Sequence, residues 1–316
     1  MPVKTATTVV SQMLKRGLIK LGFSHPVTKA SLWMYTVLHG VRLHFHHEYI
    51  DIEKTGRIVR IAPRNAWFIQ DLCRAFDLYY GMVEHAGDIA DYSQPALHRF
   101  RNSGVAFWFP AIPEEEAAIE SYTRVWKPRP GDVVFDVGAH AGASSYFLSR
   151  AVGPTGKVFA FEPDPTAYEH LLKNITLHSL SNVIPVCAAL SDECGTRAFA
   201  SEGTIGSTLA QFQKAGRGKI INVDALTLEA ACSRVGFVPT FVKMDIEGAE
   251  VGVIASSSDF LRSHPISFSI DTGHVVNGSL TFKRIEGAFA SCGYAAETEH
   301  GDGYTTTSAH PDQHSV

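Results

Sequence analysis

The chain has 316 residues with 28 Lys and Arg against 32 Asp and Glu, a formal net charge of -4, so its composition gives no reason to invoke nucleic acid beyond what a local basic patch could bind. Its five cysteines are scattered without C-x-x-C spacing, which excludes a zinc ribbon or a disulfide framework and sets the expectation of reduced thiols in a cytoplasmic protein. No apolar run approaches the roughly eighteen residues of a transmembrane helix, and the length suits one large domain or two unequal ones.

Residues 1–125 read as an accessory α+β region. Val9 to Leu21 has helical spacing with basic residues, as a packed helix or one lying on a membrane surface does, and the N-terminus carries no signal-peptide pattern. Leu43 to Ile61 reads as a hairpin turning at Lys54-Thr-Gly56. Alternation puts His44 and His46 on one face and His47 on the other, so with Glu48 they make a solvated face rather than a shared metal site. Ile69 to Tyr80 reads as a helix. Tyr79, Tyr80, Tyr92 and Phe107-Trp-Phe109 suit either a core or a lid over a small acceptor, and the polar stretch Asp88 to Ser93 suits either a hydroxylated ligand or a loop. A helix over Glu114 to Tyr122 should stop before Pro128 and Pro130, placing a domain boundary at Trp126.

Residues 126–316 alternate strand and helix patterns, as a doubly wound, mostly parallel sheet requires. Val133 to Phe135 is a buried strand, Gly138 permits a sharp turn, and Gly142 opens a helix to Ala151. Val158 to Phe161 is the next strand, and Glu162 at its end sits where an acid binds ribose hydroxyls. The turn is G-x-x-x-G with Asp136 ahead of it, whereas a dinucleotide site wants G-x-G-x-x-G for close approach of a pyrophosphate. An acid there suits a cofactor with a cationic amino-acid end such as S-adenosylmethionine, which carries an ammonium and a sulfonium. Further elements are helices at Tyr168 to Leu177, Leu226 to Val235, Val251 to Leu261 and Phe282 to Cys292, and strands at Asn182 to Cys187, Phe241 to Met244 and Ile266 to Ile270. Tyr294 to Thr298 and Tyr304 to Ser308 form a closing antiparallel hairpin around Gly301-Asp-Gly303. Residues 193–224 interrupt the alternation with two extra strands, Thr196 to Ala200 and Lys219 to Val223, and a polar Gly203 to Thr208 loop that can face substrate.

The successive segments Gly131-Asp-Val-Val-Phe-Asp136-Val-Gly-Ala-His-Ala-Gly142, Val158-Phe-Ala-Phe-Glu162-Pro-Asp, Ala189-Leu-Ser-Asp192 and Phe241-Val-Lys243-Met-Asp245-Ile-Glu247-Gly248-Ala-Glu250 resemble the motifs of FkbM-type methyltransferases, over about residues 126–310. The resemblance implies a class I (Rossmann-like) S-adenosylmethionine-dependent fold and O-methylation of a hydroxyl on a small natural product or saccharide. His140 departs from the asparagine the family often has there.

Ligands of such sheets sit beyond the carboxyl ends of the strands. That rule gathers Asp136, Gly138, His140, Gly142, Glu162, Ala189 and Asp245 as cofactor-binding residues, and Asp245 and His274 as the catalytic pair that aligns the acceptor and takes its proton. Lys243, Glu247 and Glu250 read alternatively as an ion-pair network fixing a turn. Asp245, Glu247 and Asp271 offer oxygen ligands to magnesium, but they form no compact set in the sequence, so a metal is not favoured. A nicotinamide oxidoreductase and a non-catalytic cofactor-binding module remain as alternative functions, the first opposed by the missing third glycine.

Overall fold

A computed structural model describes residues 26–213, 218–276, 278–301 and 304–312; the helix expected at Val9 to Leu21, the centre of the Gly301 to Gly303 turn and the last four residues lie outside them. The chain divides between Ile112 and Pro113 into two compact units.

In the first unit, helix α1 (Pro26–His39) precedes strands β1 (Arg42–Phe45), β2 (Ile50–Lys54) and β3 (Arg57–Ile61). The expected hairpin turns at Thr55 and Gly56, with φ of 52° and 80°, the paired left-handed conformation that two-residue hairpin loops favour. The helix expected over Ile69 to Tyr80 is instead two, α2 (Ile69–Arg74) and α3 (Phe76–Gly81), because Ala75 leaves helical geometry at φ -115°, ψ 36°. β4 (Ile89–Tyr92) pairs parallel with β3, and β5 (Ala96–Arg99) pairs with β6 (Ala106–Phe109). Phe107 and Phe109 are fully buried, and the buried Tyr92 donates its hydroxyl to Tyr79 O at 2.6 Å, so these aromatics build the unit's own core. His44 bonds Glu53 at 2.9 Å on an exposed face.

The second unit holds a two-stranded ribbon, β16 (Val275–Val276) with β17 (Ser279–Leu280), and is built on seven further strands, β18 (Tyr294–His300), β19 (Thr305–Pro311), β15 (Ser267–Asp271), β14 (Phe241–Met244), β7 (Val133–Val137), β8 (Lys157–Phe161) and β9 (Val183–Val186) in that spatial order. The five from β9 to β15 are parallel, and β19 enters antiparallel between β15 and β18. Apolar runs buried on both faces explain the parallel strands: Val134, Phe135, Val158, Phe161, Phe241, Val242 and Met244 are 5 % exposed or less. Around them lie α4 (Glu116–Ser121), α5 (Ala143–Val152), α6 (Pro165–Leu177), α7 (Leu228–Val235), α8 (Glu250–Ser256), α9 (Ser258–Ser263) and α10 (Phe282–Ser291). One expected helix, Val251 to Leu261, breaks into α8 and α9 at Ser257, whose hydroxyl bonds Val253 O at 2.7 Å and competes for the helical acceptor. α4 and Tyr122 precede the boundary expected at Trp126 yet belong to this unit, because Ser121 and Tyr122 bond Thr306 and Asp245.

The interruption is a second sheet, β10 (Ala189–Leu190), β13 (Lys219–Leu226), β11 (Gly195–Ser201) and β12 (Thr208–Leu209) in that order. All five cysteines are free thiols. No helix of the described residues is long and apolar enough to cross a membrane.

Candidate active site

The site grows from the ends of four strands, β7, β8, β14 and β15. After β7 the chain turns through Gly138, His140 and Gly142 at φ of 77°, 49° and 83°. Gly138 is dictated by contact as well as conformation: a Cβ there would stand 1.8 Å from Asp245 O. His140 occupies a left-handed position that Asn, Asp and His tolerate better than other side chains, which accounts physically for histidine where asparagine was expected. Its imidazole is buried and pushed down to about 4 by that burial.

Glu162, at the end of β8, is tied to this turn. Its Oε2 accepts the His140 N–H at 2.8 Å and its Oε1 the Asp164 N–H at 2.7 Å, while Phe161 O accepts the N–H groups of Gly138 and Ala139 at 3.0 Å each. Burial raises its carboxyl to about 8 against the pull of those two donors. Asp164, not singled out from sequence, caps α6 through Thr166 N at 2.8 Å and holds the polar loop through Ser207 Oγ at 2.7 Å and Gly203 N at 3.2 Å. The signal was present as Asp164-Pro165, an N-cap followed by proline at the first helical position.

Asp136 is placed differently from expectation. It is 0 % exposed and its carboxylate is used internally: Ser144 and Ser145 donate at 2.7 and 2.6 Å, and Lys243 Nζ lies 3.2 Å away. It therefore braces the start of α5 from beneath, where the helix dipole favours a negative charge, rather than presenting a carboxylate outward. Lys243 also donates to Gly138 O at 2.8 Å and lies 5.1 Å from the centre of the Tyr122 ring. Burial alone would lower its pKa, but Asp136, Glu114 and Asp245 together hold the ammonium above its ordinary range. The expected Lys243–Glu247–Glu250 network is thus corrected: Lys243 reaches across to β7, and Glu250 serves the backbone by accepting Ile246 N at 3.0 Å and Gly248 N at 2.9 Å. Ala189 also departs from expectation, since it pairs with Ala225 in the second sheet and packs with Phe199, Leu209 and Val223.

The ends of β14 and β15 gather the acids. Asp245 follows β14, its Oδ2 accepting the Tyr122 hydroxyl at 3.0 Å and its Oδ1 lying 3.4 Å from His274 Nε2. His274 Nε2 is 3.6 Å from Glu247 Oε1, and its Nδ1 is 3.1 Å from Glu250 Oε1. Asp271, ending β15, accepts Gly273 N at 2.7 Å. Burial raises the carboxyls of Asp245 and Asp271, the latter to about 7, although His274 pulls both down. Burial opposes the charge on His274, yet Glu247, Glu250 and Asp271 hold its imidazole well above its ordinary value. The Gly203 to Thr208 loop reaches this end too, Thr208 Oγ1 bonding Ile246 O and Glu247 O at 3.4 and 3.3 Å. Tyr122 was missed because no local pattern announces a tyrosine that meets an acid 123 positions later.

Gly138, His140, Gly142 and Glu162 thus form one hydrogen-bonded unit, and Asp245 and His274 a second, joined where Asp245 N donates to Val137 O at 2.9 Å. A model of the methyltransferase FkbM domain matches residues 136–295, just over half of the chain. The chain belongs to the FkbM methyltransferase family. Its seven-stranded sheet, with the antiparallel β19 between β15 and β18, is the class I, Rossmann-like methyltransferase fold expected from the sequence.

Two curated relatives of this FkbM-family chain are the 31-O-demethyl-FK506 methyltransferase FkbM of Streptomyces tacrolimicus, 44 % identical over 22 % of this chain and 26 % of the relative, and the hexuronic acid methyltransferase AglP of Haloferax volcanii, 28 % identical over 42 % and 52 %. The chain spans about half or less of their lengths. A shorter match, 40 % identical over 17 % of this chain and 13 % of the relative, is to a Cryptococcus neoformans tRNA (adenine(58)-N(1))-methyltransferase catalytic subunit. Among solved structures, the methyltransferase FkbM of Methylobacillus flagellatus KT aligns at a TM-score of 0.42 and 15 % identity, covering 61 % of this chain and 50 % of that one.

Proposed function

We propose that this FkbM-family chain transfers a methyl group from S-adenosylmethionine to a hydroxyl of a small natural product or saccharide. The observation that carries the reading is the fastening of Glu162 to the His140 turn: a carboxyl held at the strand end meets ribose hydroxyls, and the ends of β14 and β15, on the other side of β7, supply Asp245 and His274 for the acceptor. Bound S-adenosylmethionine would supply the methyl group on a sulfonium, leaving as the neutral thioether, and Asp245 and His274 would orient the acceptor hydroxyl and draw off its proton. The donor is already activated, so alignment and proton removal are the protein's tasks.

Oxygen as the methylated atom draws support from the two relatives, one named for a 31-O-demethyl compound and the other for a hexuronic acid. A polynucleotide acceptor is opposed by the formal net charge of -4, which gives no basic excess to meet phosphates.

The test is incubation of the purified chain with S-adenosylmethionine and a panel of polyhydroxylated compounds, read by mass spectrometry beside Asp245→Asn. Methyl gain on a hydroxyl, lost in the variant, is the expected result; methylation of transfer RNA in preference to every hydroxyl acceptor would contradict it.

A further inference from the structure

The amino-acid end of S-adenosylmethionine carries an ammonium, and the acid that the sequence offers it, Asp136, is already taken. Its carboxylate accepts from Ser144 and Ser145 and lies 3.2 Å from Lys243 Nζ. Other acids at these strand ends are engaged as well. Glu162 accepts two backbone N–H groups, Asp245 accepts the Tyr122 hydroxyl, Asp271 accepts Gly273 N, Glu250 accepts Ile246 N and Gly248 N, and Glu247 faces His274.

Glu114, two residues ahead of α4, is different. The residue is half-buried, and its Oε1 is shut off from water yet meets no hydrogen-bond donor. Such an orphaned oxygen is rare in a folded chain and calls for a partner. The charges that act on Glu114 are those of Lys243, Asp245, Asp136 and Asp271, which stand at the ends of β7, β14 and β15. From Glu114 the chain runs through α4 to Tyr122, whose hydroxyl reaches Asp245 at 3.0 Å. Glu114 is therefore set at the strand ends from which the Gly138 turn departs. Burial raises its carboxyl to about 8, although Lys243 pulls it down, so in the free protein at neutral pH a proton occupies it.

We propose that Glu114 binds the ammonium at the cofactor's amino-acid end, the part the sequence assigns to Asp136. The inference rests on the S-adenosylmethionine reading above and names a residue that completes it. The last torsion of a glutamate is soft, so a turn of the carboxyl presents its oxygen to a ligand. The ammonium then takes the place of the proton: Glu114 ionises, the proton passes to solvent, and a charge-assisted bond forms. Glutamine at this position copies the shape and neutrality of the protonated acid, so Glu114→Gln keeps the fold while removing the charge that the ammonium needs.

The experiment is calorimetry on the full chain and on Glu114→Gln with two probes, S-adenosylhomocysteine and its deaminated analogue, which has hydrogen in place of the ammonium. Glu114→Gln should weaken the first about tenfold or more and leave the second unchanged. At pH 7, in buffers of different ionisation enthalpy, S-adenosylhomocysteine should release about one proton more from the parent than from the variant. The parent by itself gives a further check: its preference for S-adenosylhomocysteine over the analogue should rise from pH 6 to 8, as ionising Glu114 becomes easier. A preference flat across that range, or a variant that binds S-adenosylhomocysteine as the parent does or loses both probes equally, overturns the assignment and leaves the cofactor reading standing. A parent that binds neither probe sinks the cofactor reading and this inference with it.

Discussion

Glu162 Oε2 accepts the backbone N–H of His140 at 2.8 Å, so the acid that ends β8 and the turn that ends β7 are one rigid piece. The cofactor end of the site therefore depends on a fastening within the protein as well as on the identity of the acid. Glu162→Gln keeps an acceptor for the His140 N–H but sets an amide NH2 against the Asp164 N–H, whereas Glu162→Ala loses both acceptors. Calorimetry should rank S-adenosylhomocysteine affinity as parent, then Gln, then Ala, and equal affinity for Gln and Ala would show that the His140 bond is idle.

The same carboxyl makes stability depend on pH. Its pKa is raised by burial from an ordinary 4.5 to about 8, so between these values the unfolded chain ionises while the folded one stays protonated. Stability attributable to Glu162 is therefore present below its ordinary pKa and is lost as pH rises toward 8. Urea melts of the ligand-free protein across pH 5 to 8 should fall more steeply for the parent than for Glu162→Gln; identical slopes would rule out the shift.

Gly138 leaves no room for a side chain. Gly138→Ala combines a left-handed φ of 77° with a Cβ placed 1.8 Å from Asp245 O, and the β7 and β14 turns must separate to admit it. The loss should exceed about 2 kcal/mol in denaturant midpoints, since left-handed strain alone costs about 1–2 kcal/mol. Gly236→Ala, with nothing within 4 Å and a left-handed φ of 74°, isolates the conformational part.

Lys243 and Asp136 are both fully buried, 3.2 Å apart. Lys243→Met leaves Asp136 uncompensated and should cost about 3–5 kcal/mol of stability. Adding Asp136→Asn should return part of that loss, because a neutral amide is cheaper to bury; strict additivity of the two changes would deny the coupling.

Much of this arrangement was legible in the residues. Apolar runs such as Val133 to Phe135 and Phe241 to Met244 gave the parallel strands, and the spacing from Gly138 to Glu162 gave the turn and its acid. What escaped was set by tertiary contact. The splits at Ala75 and Ser257 depend on local backbone geometry that periodicity does not register. Asp136 has the position of a ligand group in the sequence, and only the fold sets Lys243 against it, although a lysine inside an apolar strand hints at a buried pair. A two-residue strand carries no pattern of its own, so nothing in the sequence separates Ala189, paired in the second sheet, from the main alternation. Tyr122 met Asp245 only once the chain had folded.

The most direct test of the central claim is calorimetric titration of the purified chain with S-adenosylhomocysteine, run on the parent and on Glu162→Ala. Saturable binding by the parent that drops about tenfold or more in the variant is the predicted result. Undiminished binding in Glu162→Ala would contradict the placement of the cofactor at the β7 and β8 strand ends.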